Sequence, residues 1–319
     1  MTAAEEKHRI WDRYWQDSRI LCPGPDGDAG IASRFHTYWA DAAAALPDDA
    51  RVLELACGNG FVATIVAEKI REIGKTVKID AIDAAAIDPK RYMPERAKAM
   101  AGITFHPRTL MEDLPFEAAT FDAVFSQYGI EFGNLSKSCT ELGRVLKPHG
   151  IVRILAVPQT ADFVADLNRK AKQALHVVEK TKLFDVARAV AQAIAGKEAA
   201  GESQGVLKYL QRFSAEVQRV VEGTDERENG IAIVSANVLQ ETLAKRKQMT
   251  LEEQIAAMEA IRLRLLDLVA RHESIGRSAL GDASLTALVR ELKKTGRGDF
   301  RSQPLSTEQL GTVAWNVSN

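Results

Sequence analysis

Alternating short apolar strands and helices predict an α/β protein with a doubly wound, mostly parallel sheet and an α-helical insertion. Three observations carry this expectation. Between residues 51 and 158, strand-length apolar runs alternate with helical patterns, which is the signature of a parallel sheet covered on both faces. Residues 159–281 then show helical periodicity alone. Finally, the chain closes on a helix followed by two strand patterns with no helix between them, which pair antiparallel or lie apart.

The elements follow in order. Residues 5–21 read as a helix on which Ile10, Tyr14, Ile20 and Leu21 share a broad face, with Trp11 and Trp15 beside it. Cys22-Pro23-Gly24-Pro25-Asp26-Gly27-Asp28 breaks that pattern, and a second helix covers residues 32–46 before Pro47-Asp48-Asp49. Residues 52–55 form the first strand. Cys57-Gly58-Asn59-Gly60 turns it into a helix over residues 61–73, which Gly74 ends. Further strands fall at residues 77–83, 103–105, 121–125 and 151–157.

In the insertion, Leu251, Ile255, Met258, Ile261, Leu265 and Leu268 make an apolar stripe on one helix, and residues 202–221 make another helix. Turn signals stand at Gly196, Gly201, Gly223-Thr224-Asp225 and Asn229-Gly230. A helix over residues 284–294 ends at Gly296. Strand patterns at 299–305 and 312–317 are joined around Ser306-Thr307-Glu308. The α/β domain is therefore expected to comprise residues 1–158 and 282–319, and the insertion residues 159–281.

The 319 residues include 42 Lys and Arg against 43 Asp and Glu, for a formal net charge of −1, and 46% are hydrophobic. This composition argues against wholesale disorder, and the neutral balance argues against a general nucleic-acid binder. No stretch approaches the ~20 apolar residues that span a bilayer. The amphipathic start, MTAAEEKHRIWDRYW, has no apolar signal core, so a cytoplasmic protein without membrane attachment is expected. Cys22, Cys57 and Cys139 are odd in number and widely spaced, so neither a disulfide framework nor a metal site is expected.

A strand, a glycine turn and a helix make a ready cradle for an anion or a nucleoside, because glycines let the backbone approach the ligand and the helix N-terminus offers free N–H groups. Here that unit is Val52-Leu53-Glu54-Leu55-Ala56-Cys57-Gly58-Asn59-Gly60, and the second strand ends in Asp83, a carboxylate able to accept both hydroxyls of a ribose. Gly58-Asn59-Gly60-Phe61-Val62-Ala63 also fits the dinucleotide pattern G-x-G-x-x-A. Glu54 separates the two ligands: an acid four residues before Gly58 suits a positive group and gives a pyrophosphate nothing.

At this point the chain resembles the class I S-adenosylmethionine-dependent methyltransferases. The resemblance rests on VLELACGNG (52–60), IDAID (79–83), MEDLPFEAATFDAVFSQYGIEF (111–132) and ELGRVLKPHGIVRI (141–154), in that order. It implies a Rossmann-like core of seven strands, the last antiparallel, with residues 1–46 as covering helices. It also implies S-adenosylmethionine as cofactor and S-adenosylhomocysteine as product.

Carried over residue by residue, Gly58, Asn59 and Gly60, with Ala56, form the turn under the cofactor. Glu54 stands near the methionine amino group, Asp83 on the ribose and Ala84 against the adenine. The position where many relatives hold the adenine amino group with an Asp is Leu110, so backbone groups of Leu110 and Met111 or the side chain of Glu112 take its place. Ser126, Gln127 and Tyr128 line the methionine arm, and Tyr14 with one Trp covers the cofactor.

The chemistry asks little of the protein beyond aligning a nucleophile behind an activated methyl, excluding water and removing a proton where needed. Candidates for the last task are Glu131 and His36, with Tyr128 facing the acceptor; His149 lies at the far edge. The helical insertion is expected to be a substrate cap or a surface for a homodimer. Lys245-Arg246-Lys247 reads as a solvated helix face. The leading expectation is a methyltransferase acting on an O, N or C atom of a small-molecule acceptor. Open alternatives are a protein or RNA methyltransferase, a nicotinamide-dependent oxidoreductase and a non-catalytic cofactor-binding module.

Overall fold

The computed structural model describes residues 3–20, 29–199, 206–221 and 226–319. The chain divides into two compact units, Met1–Ala165 with Ile275–Asn319, and Asp166–Ser274.

The first unit is built on one seven-stranded sheet. Its strands are β1 (Ala50–Leu55), β2 (Val77–Ile82), β3 (Ile103–His106), β4 (Phe121–Gln127), β5 (Leu146–Ala156), β6 (Arg301–Thr307) and β7 (Gly311–Ser318), in the order β3-β2-β1-β4-β5-β7-β6. Pairings from β3 through β5 are parallel, and β7 runs antiparallel to both β5 and β6. The sheet order reverses direction at β1, whose neighbours are β2 and β4. In open α/β sheets ligands bind beyond the carboxyl ends of the strands at such a point.

The strands form where both faces can be covered. Leu53, Leu55, Phe121, Val124, Val152 and Ile154 are fully buried against Leu142, Leu285, Leu288 and Phe300 from the covering segments. Burying each of these side chains contributes roughly 1.5–3 kcal/mol. Helices α1 (Ala3–Gln16), α2 (Ala29–Ala44), α3 (Phe61–Glu72), the short α4 (Pro89–Tyr92) and α5 (Leu135–Val145) precede the insertion. Asn134 caps α5 by accepting from the Lys137 amide, and Gly74 ends the α3 turn at φ 71°.

Chain exit and return adjoin in the first unit. Pro158 bridges Leu280 in parallel, with Leu280 N donating to Val157 O at 2.7 Å. A long insertion between two such points leaves the sheet intact, because loop-closure entropy grows slowly with length.

The second unit is helical, built from the greater parts of α6 (Asp162–Glu179) and α10 (Leu251–Ser278) with α7 (Leu183–Ala199), α8 (Val206–Val221) and α9 (Glu226–Ala244) between them. Its core gathers Leu183, Phe184, Val190, Phe213, Leu239 and Met258, and Leu251, Ile261 and Leu265 of the expected stripe pack against it. Helix α11 (Asp282–Lys294) follows in the first unit.

Several boundaries differ from expectation. The first helix stops at Gln16, and the described chain continues without helix to Ile20. Leu21, the breaker run from Cys22 to Asp28, Gly201, residues 202–205 and Gly223-Thr224-Asp225 lie outside the described residues. Gly196 and Asn229-Gly230, read as turns, lie inside α7 and α9. A helical Gly costs about 1 kcal/mol, and burial of Ala191 and Ile194 around the first, and of Ala232 and Ala236 after the second, outweighs it. β4 continues through Ser126 and Gln127, and β5 starts five residues early, at Leu146.

Candidate active site

The glycine turn departs from helix and strand geometry at three residues: Ala56, Gly58 and Gly60 have φ of 53°, 51° and 78°. Glycine is required at Gly58 for a second reason, since an added Cβ would stand 2.4 Å from Cζ2 of Trp15. Cys57 N donates to Ile82 O at 2.9 Å, and Gly60 N to Cys57 O at 2.8 Å, which ties the turn to β2.

Two carboxylates flank the turn. Asp83, just past β2, accepts from Gly58 N through Oδ2 and from Ala85 N through Oδ1, each at 2.8 Å. Each oxygen keeps a second lone pair. Glu54, in β1, accepts from Ala63 N at 2.8 Å. No side chain at the Gly60 cap position serves the first turn of α3, so the strand carboxylate does. Burial, with the charge of Asp83 adding to it, raises the Glu54 pKa to about 8. Burial also raises Asp83 to about 6, helped by Asp12.

Helix α1 lies along this turn. Asn59 Nδ2 donates to the carbonyl of Trp15 (2.8 Å), which the helix end leaves open, and to that of Arg19 (2.7 Å) in the segment after it. Asp12 accepts from Ala86 N at 2.7 Å and from Arg108 at 2.6 Å.

Between these parts opens a cleft with about 1030 Å³ of empty volume, part of it open to solvent. Aromatic walls come from Trp11, Trp15, Phe61, Tyr128 and Phe132, and apolar ones from Ile20, Leu110 and Met111. Its acids are Glu54, Asp83 and Glu112. No Lys, Arg or His stands among the described lining residues. The segment carrying Leu110, Met111 and Glu112 is held from behind: Arg144 donates to Leu114 O and Phe116 O, Glu141 accepts from Leu114 N, and Glu112 accepts from Asn134 N at 2.7 Å.

Of the residues singled out by sequence, Glu54, Ala56, Asp83, Ala84, Leu110, Met111, Glu112, Gln127 and Tyr128 line the cleft. Others do not. Gly58, Asn59 and Gly60 form its floor from behind, engaged with Trp15, Arg19 and Phe105. Ser126 is buried within β4, its hydroxyl on Leu55 O at 3.3 Å. Tyr14 packs edge-on against Trp11 and Trp15, and those two indoles face the cleft in its place. Positions 11 and 15 are one helical turn apart and share a face. His36 is exposed on α2 and is absent from the cleft wall.

The Tyr128 ring faces the cleft while its hydroxyl donates to Val313 O of β7, so that oxygen is committed to the sheet. Glu131 is absent from the cleft wall and lies buried beside the end of β5. Its Oε1 accepts from Val157 N at 2.8 Å, Oε2 has no partner among the described residues, and burial raises its pKa to about 7. Phe61, Thr109 and Phe132 were missed as wall residues. Phe61 opens α3 directly after the turn, a position legible in hindsight, whereas Phe132 reaches the wall only through the short turn after β4.

A cleft of this make-up suits an adenosyl sulfonium: carboxylates without counter-ions face a cation, and flat apolar walls take a base. Among the described residues no group of three or more His, Cys, Asp or Glu is placed to hold a metal ion, and no helix is long and apolar enough to cross a membrane.

Residues 52–150 match the family model described as "Methyltransferase domain". The chain is 32% identical over 106 residues to a chloroplastic 2-phytyl-1,4-beta-naphthoquinone methyltransferase of Arabidopsis thaliana, which covers 33% of this chain and 40% of that protein. It is 31% identical over 136 residues to a ubiquinone/menaquinone biosynthesis C-methyltransferase of Xanthomonas campestris, covering 42% of this chain and 53% of the relative. The chain thus spans about half or less of the length of these curated relatives. Among solved structures it is similar to a geranyl diphosphate C-methyltransferase of Streptomyces coelicolor, at 14% identity and a TM-score of 0.38 over 50% of this chain and 66% of that one. Residues 52–150 thus match a methyltransferase domain, and the glycine turn, the sheet order and these sequence matches make the chain similar to the class I S-adenosylmethionine-dependent methyltransferases.

Proposed function

We propose that this chain transfers the methyl group of S-adenosylmethionine to a small-molecule acceptor by in-line displacement at the methyl carbon. One observation carries the reading: Glu54 and Asp83, at the ends of neighbouring strands on either side of a left-handed glycine turn, face one aromatic cleft with no basic side chain among its described lining residues. The names of the curated relatives, which include a naphthoquinone and a sterol methyltransferase, support a small acceptor.

The bound cofactor supplies a methyl already activated on a sulfonium. The chain's own residues do the rest. In this reading Asp83 takes the ribose hydroxyls on its remaining lone pairs, and Glu54 faces the methionine ammonium. Ala84, Leu110 and Met111 pack the adenine, and Gln127, oriented by the Trp39 indole N–H at 2.5 Å, borders the methionine arm. Trp11 and Trp15 exclude water from the sulfonium and favour it through their ring faces. Where the acceptor must lose a proton, Glu131 is the carboxyl proposed to take it. Its ionisation near neutrality supports that role.

The helical unit is proposed to govern acceptor choice, or to pair two copies of the chain, and the protein is proposed to work in the cytoplasm. Calorimetry decides the central reading. S-adenosylhomocysteine is expected to give saturable heat and NAD none; binding of NAD alone would overturn it.

A further inference from the structure

We propose that Glu54 is the proton-exchanging carboxyl of the cradle: the cationic end of an S-adenosyl ligand is taken up as this side chain gives up a proton to solvent. The inference rests on the methyltransferase reading and deepens it.

Glu54 sits in β1 at 3% exposure, with Oε2 fixed on Ala63 N and the carboxyl on the cleft wall. Among the described residues lining the cleft, none carries a basic side chain to neutralise it. Asp83 approaches from the end of β2 with the same sign. From α1 comes Asp12, whose charge Arg108 already answers. Cys57 in the turn stays a neutral thiol, because burial and then the charges of Glu54 and Asp83 push its pKa well up. The 110–113 segment adds Glu112, and the end of β4 adds only Gln127 and Tyr128. The N–H groups opening α3 offer partial positive charge. Two enclosed carboxylates sharing a cleft without a counter-ion do not both ionise until a cation arrives.

The same conclusion follows from the titration. With Asp83 at about 6 and Glu54 at about 8, the ligand-free cradle at pH 7 holds Asp83 mostly ionised and Glu54 mostly protonated. A ligand that brings an ammonium group favours the ionised form and drives the proton off, so affinity rises with pH below 8 and flattens above it.

The test is titration calorimetry of the full chain with S-adenosylhomocysteine at pH 7.0, once in phosphate and once in Tris, whose ionisation enthalpies differ. The expected result is an enthalpy difference equal to release of about 0.5–1 proton, with affinity climbing roughly three- to tenfold per pH unit around pH 7. Glu54→Gln keeps an acceptor for Ala63 N but carries no titrating proton, and its heats should agree in the two buffers. Binding with equal heats for the natural chain overturns the proposal without any need of the variant. Release persisting in Glu54→Gln overturns it as well, by assigning the proton to another group. Absence of any heat with S-adenosylhomocysteine is a different failure, that of the methyltransferase reading itself.

Discussion

Trp15 and Gly58 are packed so closely that the glycine has no room for even one more carbon: a Cβ there would lie 2.4–2.7 Å from three atoms of the indole. Helix α1 and the glycine turn are therefore one piece of architecture. The indole that walls the cleft is seated directly on the turn that shapes the floor.

Gly58→Val should abolish binding of S-adenosylhomocysteine. The substitution collides with Trp15 and places a β-branched residue at φ 51°, which costs about 1–3 kcal/mol in backbone strain alone. Calorimetry, paired with circular dichroism to check folding, reads the effect. A folded variant with normal affinity would separate the turn from the site.

Asp83→Ala should weaken S-adenosylhomocysteine binding at least tenfold. A two-point contact from hydroxyls to a carboxylate is worth roughly 1.5–3 kcal/mol. The variant also frees Gly58 N and Ala85 N, so part of the loss will come from a looser turn. Unchanged affinity would remove Asp83 from the site.

Asn59→Ala should loosen α1 while sparing the sheet. The side chain is fully buried and donates to Trp15 O in the last turn of α1 and to Arg19 O in the segment after it, so its loss removes both ties. Amide hydrogen exchange in α1 is expected to speed by roughly tenfold or more, with β1 and β4 little changed. Equal protection of α1 in both proteins would show that its other contacts suffice.

Glu131→Gln should flatten the pH dependence of stability. The folded pKa of about 7 lies above the ordinary 4.5, so between these values the unfolded chain holds fewer protons than the folded one. Stability contributed by the neutral carboxyl is present below pH 4.5, is lost as pH rises toward 7, and stays lost above it. Glutamine has no such titration. Relative to the natural chain, it should be more stable at pH 8 than at pH 5 by on the order of 1–3 kcal/mol, read from thermal melts at both values. An identical pH dependence would mean that the carboxyl is solvated.

Periodicity and order along the chain were enough to read the α/β core, the helical insertion and the strand-turn-helix around residue 58. Each of these is a local pattern: alternation sets strands, a 3.6-residue repeat sets helices, and glycines mark the left-handed turn. Glu54 was legible inside the first strand and Asp83 as the residue that closes the second, and the structure puts both on the cleft wall. What only the tertiary structure decided was which side of each element meets the cleft. Tyr14 gave way to Trp11 and Trp15 because α1 is oriented by Asn59 and Asp12, both paired with residues 40 or more positions away. The Tyr128 hydroxyl was claimed by a β7 carbonyl 185 positions on, and Gly196 and Gly230 were carried into helices by the burial of their neighbours. Sequence spacing sees along one element at a time, whereas these outcomes depend on packing and hydrogen bonds between elements that the chain brings together only on folding.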